Sequence, residues 1–237
     1  MPIYKLKLIH KRSVAKDTIE LQFEKPEGLH FVPGQYAGFT LINPNETDAG
    51  GITRRFSLIS SPNDNHIAIA TRIQNSAYKR ALNHLSAGDE IKFAGPTGNF
   101  ILHEDKSVPA VLIAGGIGIA PFYSMIKHAS QQQSPQTYLL FYGNQTRFDA
   151  AYLEEIKQLQ ADYPSLHFIP ALANPDNEWQ GETGFITSSL LKKYIPNLNA
   201  PIYYVCGSPA MVTALQETLM EMGIDAEKIK VEDFPGY

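Results

Sequence analysis

The run Arg54-Arg55-Phe56-Ser57 sets two guanidinium groups, an aromatic ring and a hydroxyl at the start of a strand-like stretch. Alternation puts Arg54 and Phe56 on one strand face, Arg55 and Ser57 on the other. A guanidinium forks onto phosphate oxygens and a flat ring stacks on an aromatic cofactor, so the pattern suits a ligand carrying both. A solvated arginine pair beside a core phenylalanine would give the same letters. Downstream, Arg72, Ser76 and Lys79 lead into a short helical stretch. Cationic side chains and the positive end of a helix dipole then coincide, which suits a pyrophosphate, while a capped helix with exposed basic residues is the alternative.

A second pattern is glycine-rich. The apolar run Val111-Leu112-Ile113-Ala114 passes into Gly115-Gly116-Ile117-Gly118-Ile119-Ala120-Pro121, a strand, a tight turn and a helix start. Glycines there let backbone N–H groups approach a pyrophosphate at a helix N-terminus, and Pro121 suits a first helical turn. A tight connection alone would also use these glycines. Cys206-Gly207-Ser208-Pro209 leaves a later strand in the same way, so two such loops can face one cleft.

The elements that position these residues divide the chain in two. Up to about Phe100, short alternating apolar runs separated by turns predict antiparallel strands of a barrel or sandwich: Tyr4–His10, Thr18–Phe23, Tyr36–Ile42, Arg55–Ile59, Ile67–Ile73 and Ile91–Ala94. One helix, Ala77–Leu85 with Ser76 as its cap, interrupts them. Gly95-Pro96-Thr97-Gly98-Asn99-Phe100 reads first as a turn. After Pro109 the rhythm becomes strand, loop, helix, predicting a mostly parallel sheet covered by helices. Its strands are Ala110–Ala114, Thr137–Tyr142, His167–Leu172, Ile202–Cys206 and Ile229–Val231. Its helices lie near Pro121–Gln132, Ala150–Ala161, Ser188–Tyr194 and Ala210–Met222. The polar segment His103–Pro109 separates an antiparallel β-barrel domain, 1–103, from an α/β nucleotide-binding domain, 109–237.

Composition agrees with two globular units. The 237 residues are 43% hydrophobic and 19% charged, ample for sizeable cores. A formal charge of −4, with basic residues gathered in nothing denser than pairs such as Lys79-Arg80, argues against nucleic acid. The single Cys206 excludes an intrachain disulfide and a four-thiolate iron–sulfur cluster, fitting a reducing, cytoplasmic setting. The start, Met1-Pro2-Ile3-Tyr4-Lys5, has no signal-peptide core, and no apolar run reaches membrane-spanning length. Scattered histidines, and the absence of Gly-x-Ser-x-Gly and His-Glu-x-x-His, leave no metal or hydrolase reading.

Taken in order, Arg54-Arg55-Phe56-Ser57, Gly95-Pro96-Thr97-Gly98, Gly115 to Pro121 and Cys206-Gly207-Ser208-Pro209 resemble the ferredoxin-NADP reductase superfamily over nearly the whole chain. Its length and lack of cysteine clusters look like the stand-alone reductases. The resemblance implies FAD on the barrel and NAD(P)H on the second domain, with hydride transfer once nicotinamide C4 and flavin N5 lie about 3 to 3.5 Å apart. It implies that Arg54 holds the flavin pyrophosphate, that Phe56, where the family has Tyr, packs on the ring system, and that Ser57 lies near N5. Ala70, Thr71 and Arg72 match the stretch alongside the flavin, and Lys79 stands where the family has Ser or Thr. Gly115, Gly116 and Gly118 fall at the nicotinamide dinucleotide's pyrophosphate, Cys206 and Gly207 near the nicotinamide, and Phe234 or Tyr237 as an aromatic lid. No general acid or base is assigned.

Three functions follow: a reductase serving a ferredoxin, flavodoxin or oxygenase component, a reductase using free flavin as substrate, or an electron-transfer subunit of a complex. At the ribose end, after the second parallel strand, Arg147 tilts the donor toward NADPH, because an arginine there accommodates a 2'-phosphate.

Overall fold

The computed structural model describes residues 2–74 and 76–234. Among these, the first half forms an antiparallel sheet of β1 (Ile3–Ala15), β2 (Thr18–Glu24), β3 (Tyr36–Leu41), β4 (Thr53–Ser57), β5 (His66–Arg72) and β6 (Glu90–Thr97), with α1 (Ala77–His84) between the last two. The strand order is β4-β3-β6-β1-β2-β5. The two edges meet just past β4, where the Ile59 N–H donates to the Ala68 carbonyl at 2.9 Å and the Ser60 hydroxyl accepts from the Ala68 N–H at 3.1 Å. Alternation drives this curling. In β1, Leu6 and Leu8 are buried while Lys5 and Lys7 face solvent. Inside, Phe23, Phe39, Phe93 and Ile91 pack with Leu82 and Tyr78 of α1.

The second half is a parallel sheet of β7 (Ala110–Gly115), β8 (Tyr138–Asn144), β9 (Leu166–Leu172), β10 (Glu182–Thr183), β11 (Ile202–Gly207) and β12 (Ile229–Asp233), in the order β10-β9-β8-β7-β11-β12. Every residue of β7 is buried, as a central strand covered on both faces requires. Its alternate residues divide between the faces. Ala110, Leu112 and Ala114 pack with α2 (Ile119–Gln131) and α3 (Leu153–Asp162), whereas Val111 and Ile113 pack with α4 (Ser188–Tyr194) and α5 (Pro209–Glu221).

Sequence periodicity predicted five parallel strands; the sixth, β10, has two residues, too short to carry a pattern. Helix α3 begins later than its apolar pattern predicts, because residues 147–149 form a 3-10 turn and Tyr152 takes a left-handed conformation at φ 61°. Helix α2 begins two residues before Pro121, after a 3-10 turn over Gly116–Gly118.

The halves are locked together by polar contacts as well as apolar ones. The buried Glu20 carboxylate of β2 accepts from Arg12 on its own sheet and from the Tyr152 hydroxyl at 2.9 Å. Lys127 of α2 pairs with Asp64 at 2.6 Å, and the Ser124 hydroxyl donates to the Ser60 carbonyl at 2.6 Å.

Candidate active site

Strand order in the second sheet reverses at β7. From it the chain runs outward through β8, β9 and β10, then returns to place β11 on its other side. Such a switch point leaves a crevice outside the carboxyl ends of the strands. The two glycine-bearing loops leave β7 and β11 there and touch each other. A Cβ at Gly118 would stand 2.3 Å from the Cys206 carbonyl oxygen, and one at Gly115 would stand 2.0 Å from Met211 Sδ of α5. Main-chain packing therefore already demands Gly118, at Gly115 the flexible Met211 side chain would have to give way, and Gly116 adopts φ 52°.

Between this edge and the barrel lies a cleft of about 820 Å³. Strand β4 lines it with Arg54, Arg55, Phe56 and Ser57, β5 with Ala70, Thr71 and Arg72, and the start of α1 with Ser76 and Lys79. Ile117, Ala120, Glu232, Asp233 and Phe234 come from the second half. The structure thus gathers the predicted barrel residues in one place. Of the glycine turn, Ile117 and Ala120 line the cleft, while Gly115, Gly116, Gly118, Pro121 and Gly207 do not. Tyr237 lies outside the described residues.

The cationic end is crowded. Burial, with Arg54 and Arg72 nearby, pulls Lys79 below its ordinary range. Its ammonium donates to Gln74 Oε1 at 3.4 Å, and its backbone N–H donates to the Ser76 cap. Arg54 lies over the Tyr78 ring, donates to the Gly50 carbonyl and pairs with Asp48 at 3.3 Å. Asp48 also accepts from the first N–H of α1, at Ala77, at 2.8 Å. That bond and the one from the Gly50 N–H, with Arg54 beside it, hold the Asp48 carboxyl below its usual range despite partial burial. A carboxylate thus sits where an arginine and a helix start converge, the combination that favours an anion.

Phe56 packs edge-on against Phe39 and beside Tyr78, anchoring the strand in the barrel core. Tyr36, which no sequence signal marked, lines the cleft beneath the Arg55 guanidinium.

At the opposite end the Ser57 hydroxyl donates to Glu232 Oε2 at 3.3 Å. Burial pushes the Glu232 carboxyl up to about 7, the bond from Ser57 opposes the shift, and Asp233 adds to it. Sequence reasoning left Glu232 without a role; the signal was an acidic pair closing the last strand after Ile229 and Val231. Phe234 lines the cleft beside it, its N–H donating to the Gly207 carbonyl at 3.0 Å.

Cys206 departs from its expected place. Its side chain is fully buried in the core and does not line the cleft. Strand β11 is flanked by β7 and β12, so Cys206 sits between Ala114 and Glu232 rather than at an edge. Burial, with Glu232 and Asp233 nearby, pushes its thiol well up, which keeps it neutral and unreactive. Arg147 stands beyond β8, paired with Asp176 at 2.8 Å and Glu178 at 3.1 Å.

The donor set matches a flavin dinucleotide. Arg54, Arg72 and Lys79 offer charge for phosphates, Tyr36 and Phe56 with Ala70, Ile117 and Ala120 offer an apolar bed for a flat ring, and Ser57 with Glu232 offers a polar contact at one end.

Residues 5–101 match the oxidoreductase FAD-binding domain family, and residues 112–217 the oxidoreductase NAD-binding domain family. One component of the Na(+)-translocating NADH-quinone reductase of Methylococcus capsulatus is 36% identical over 160 residues, 65% of this chain and 39% of that protein. The phenol hydroxylase P5 protein of Acinetobacter pittii is 30% identical over 221 residues, 91% of this chain and 60% of its own length. The chain therefore spans about two fifths of the NADH-quinone reductase relatives it matches. A ferredoxin NADP+ reductase from Neisseria gonorrhoeae, solved with bound FAD and NADP, superimposes with a TM-score of 0.82 at 19% identity, over 98% of this chain and 99% of that one. The FAD/NAD-binding domain of a nitric oxide dioxygenase from Vibrio cholerae gives 0.84 at 19% identity, over 97% and 98%. No helix among the described residues is long and apolar enough to cross a membrane. With both domain families matched in order and the two-domain fold shared, the chain belongs to the ferredoxin reductase-like superfamily of FAD- and NAD-binding oxidoreductases.

Proposed function

We propose that the protein takes electrons from NAD(P)H onto FAD held in the cleft and delivers them to a separate acceptor, a ferredoxin, a flavodoxin or an oxygenase component. The observation that carries this reading is the shared cleft. Ser57 of the barrel and Glu232 of the parallel sheet meet in it, so what the barrel, 1–103, holds is brought against what the second domain, 109–237, binds. FAD, when bound, supplies the two-electron hydride acceptor and the one-electron steps out.

The chain's own residues bind, orient and manage a proton. Arg54, Arg72 and Lys79, with the Ser76-capped start of α1, hold the phosphates. Phe56, Ala70 and Thr71 bed the ring, and Arg55 over Tyr36 closes the rim. Gly115, Gly116, Gly118, Pro121 and Gly207 shape the nicotinamide dinucleotide's loops, with Arg147 at the ribose end. Cys206 contributes through its backbone. Phe234 covers the ring and moves aside for the nicotinamide. Glu232, with its carboxyl at about 7, can hold a proton on its carboxyl group near neutrality while Oε2 accepts from the Ser57 hydroxyl.

The test is a visible spectrum of the purified chain after mixing with FAD and desalting, then after anaerobic NADH or NADPH. Flavin absorbance retained and then bleached supports the proposal; a chain that neither binds FAD nor oxidises either nucleotide overturns it. One observation favours a second reading, in which flavin is an exchangeable substrate. Asp48 competes with a flavin pyrophosphate for Arg54 and the start of α1. Steady bleaching of free flavin by a protein that loses its own on desalting supports that reading.

A further inference from the structure

Arg147 carries the sequence argument for NADPH, and its surroundings reverse it. Two loops meet at the carboxyl edge of the parallel sheet, one after β8 and one after β9. They are stitched together by backbone bonds from Ala173 N–H to the Asn144 carbonyl at 2.9 Å and from Asn174 N–H to the Gln145 carbonyl at 2.8 Å. The Asn174 amide also donates to Gln145 Oε1 at 3.0 Å. The second loop is held in its own shape, since Asp176 accepts from the Glu178 N–H at 3.0 Å and the Trp179 indole donates to the Glu182 carbonyl at 2.9 Å.

That fixed loop delivers Asp176 to Arg147 Nε and Glu178 to Arg147 Nη1, while the guanidinium rests over the Phe148 ring. A third carboxylate, Asp149, accepts from the backbone N–H and hydroxyl of Thr146. The loops thus carry three carboxylates, two of which, Asp176 and Glu178, pair with Arg147. Lys157 of α3 is itself paired with Glu154 at 2.8 Å.

A 2'-phosphate is bound by forked, charge-assisted bonds from a free guanidinium, whereas a 2'-hydroxyl needs only a carboxylate acceptor. Here two of the guanidinium nitrogens already face carboxylates, Nε toward Asp176 and Nη1 toward Glu178, and those carboxylates are in place. We infer that Asp176 and Glu178 select NADH over NADPH, by occupying Arg147 and by setting acceptor oxygens and negative charge where a 2'-phosphate would sit. This rests on the proposal that NAD(P)H binds at the carboxyl edge of this sheet.

The experiment separates the two. Calorimetric titration of the intact chain with 5'-AMP and with 2'-phospho-AMP gives an affinity ratio, which is read again in the Asp176→Asn/Glu178→Gln double variant and in that variant carrying Arg147→Gln. The expected result is a preference for 5'-AMP in the parent. The double variant shifts the ratio toward 2'-phospho-AMP by about ten- to a hundredfold, the value of one charge-assisted hydrogen bond, and Arg147→Gln abolishes the shift. A ratio taken within each protein cancels any loosening of the loop that weakens both probes equally. A parent that binds 2'-phospho-AMP as well as or better than 5'-AMP, or a ratio unmoved in the double variant, overturns the inference. Anaerobic bleaching of the FAD-loaded parent is run alongside. Bleaching by NADPH in preference to NADH also overturns the inference, while bleaching by neither overturns the proposed function and leaves the calorimetry to decide the selectivity.

Discussion

Ser57 on the barrel and Glu232 on the last strand of the parallel sheet stand 175 positions apart and meet at 3.3 Å. Their bond joins the two domains at the end of the cleft opposite its cationic cluster, and it places one carboxyl that titrates near neutrality next to one hydroxyl. The geometry makes this pair the natural place to perturb the protein by pH.

Glu232 keeps its proton to about pH 7 in the fold, against 4.5 as its ordinary value. The native state therefore binds more protons than the unfolded chain between those values, and stability falls as pH rises through that window. The loss amounts to about 3 kcal/mol by pH 8. Urea unfolding of the flavin-free protein at pH 5 and pH 8 is expected to show this decline in the parent. A Glu232→Gln variant is expected to lose the slope and to be the more stable protein at pH 8.

On the proposed function, the paired Arg54 and Asp48 are expected to act in opposite directions on flavin binding. Removing the guanidinium in Arg54→Ala is expected to weaken FAD retention at least tenfold, the worth of about 1.4 kcal/mol. Removing the competing charge in Asp48→Asn is expected to strengthen it severalfold. Flavin content after desalting and fluorescence titration with FAD measure both; equal affinity in all three proteins would remove Arg54 from the phosphate site.

Gly118→Ala inserts a methyl group 2.3 Å from a main-chain oxygen of β11, where no side-chain rotation can make room. The cost expected is about 3 kcal/mol, seen as a lower urea midpoint. NAD(P)H affinity is expected to fall with it, because the loop must shift to accommodate the methyl.

Tyr152→Phe removes a donor to the buried Glu20 carboxylate while Arg12 and Gln22 remain. Stability is expected to drop by about 1 to 2 kcal/mol. Because this bond ties the start of α3 to the barrel, limited proteolysis is expected to cut between the domains sooner in the variant.

Much of this was legible in the residues alone. Leu6 and Leu8 against Lys5 and Lys7 declare a half-buried strand, and the unbroken apolar run of β7 declares a strand covered on both faces. These are local periodicities, and local periodicity survives in a one-dimensional record. The cap at Ser76, the glycine turn after β7 and the start of α5 after Ser208 were readable for the same reason, since each is decided within a few residues. Tertiary packing alone decided which charges meet. It paired Arg54 with Asp48 and Arg147 with Asp176 and Glu178, buried Cys206 between two strands, and raised Glu232 by burying it. Charge pairing and desolvation depend on distance in space, which is set only when the loops, strands and sheets pack; of these pairs, Ser57 and Glu232 are the ones that the packing of the two sheets brings together.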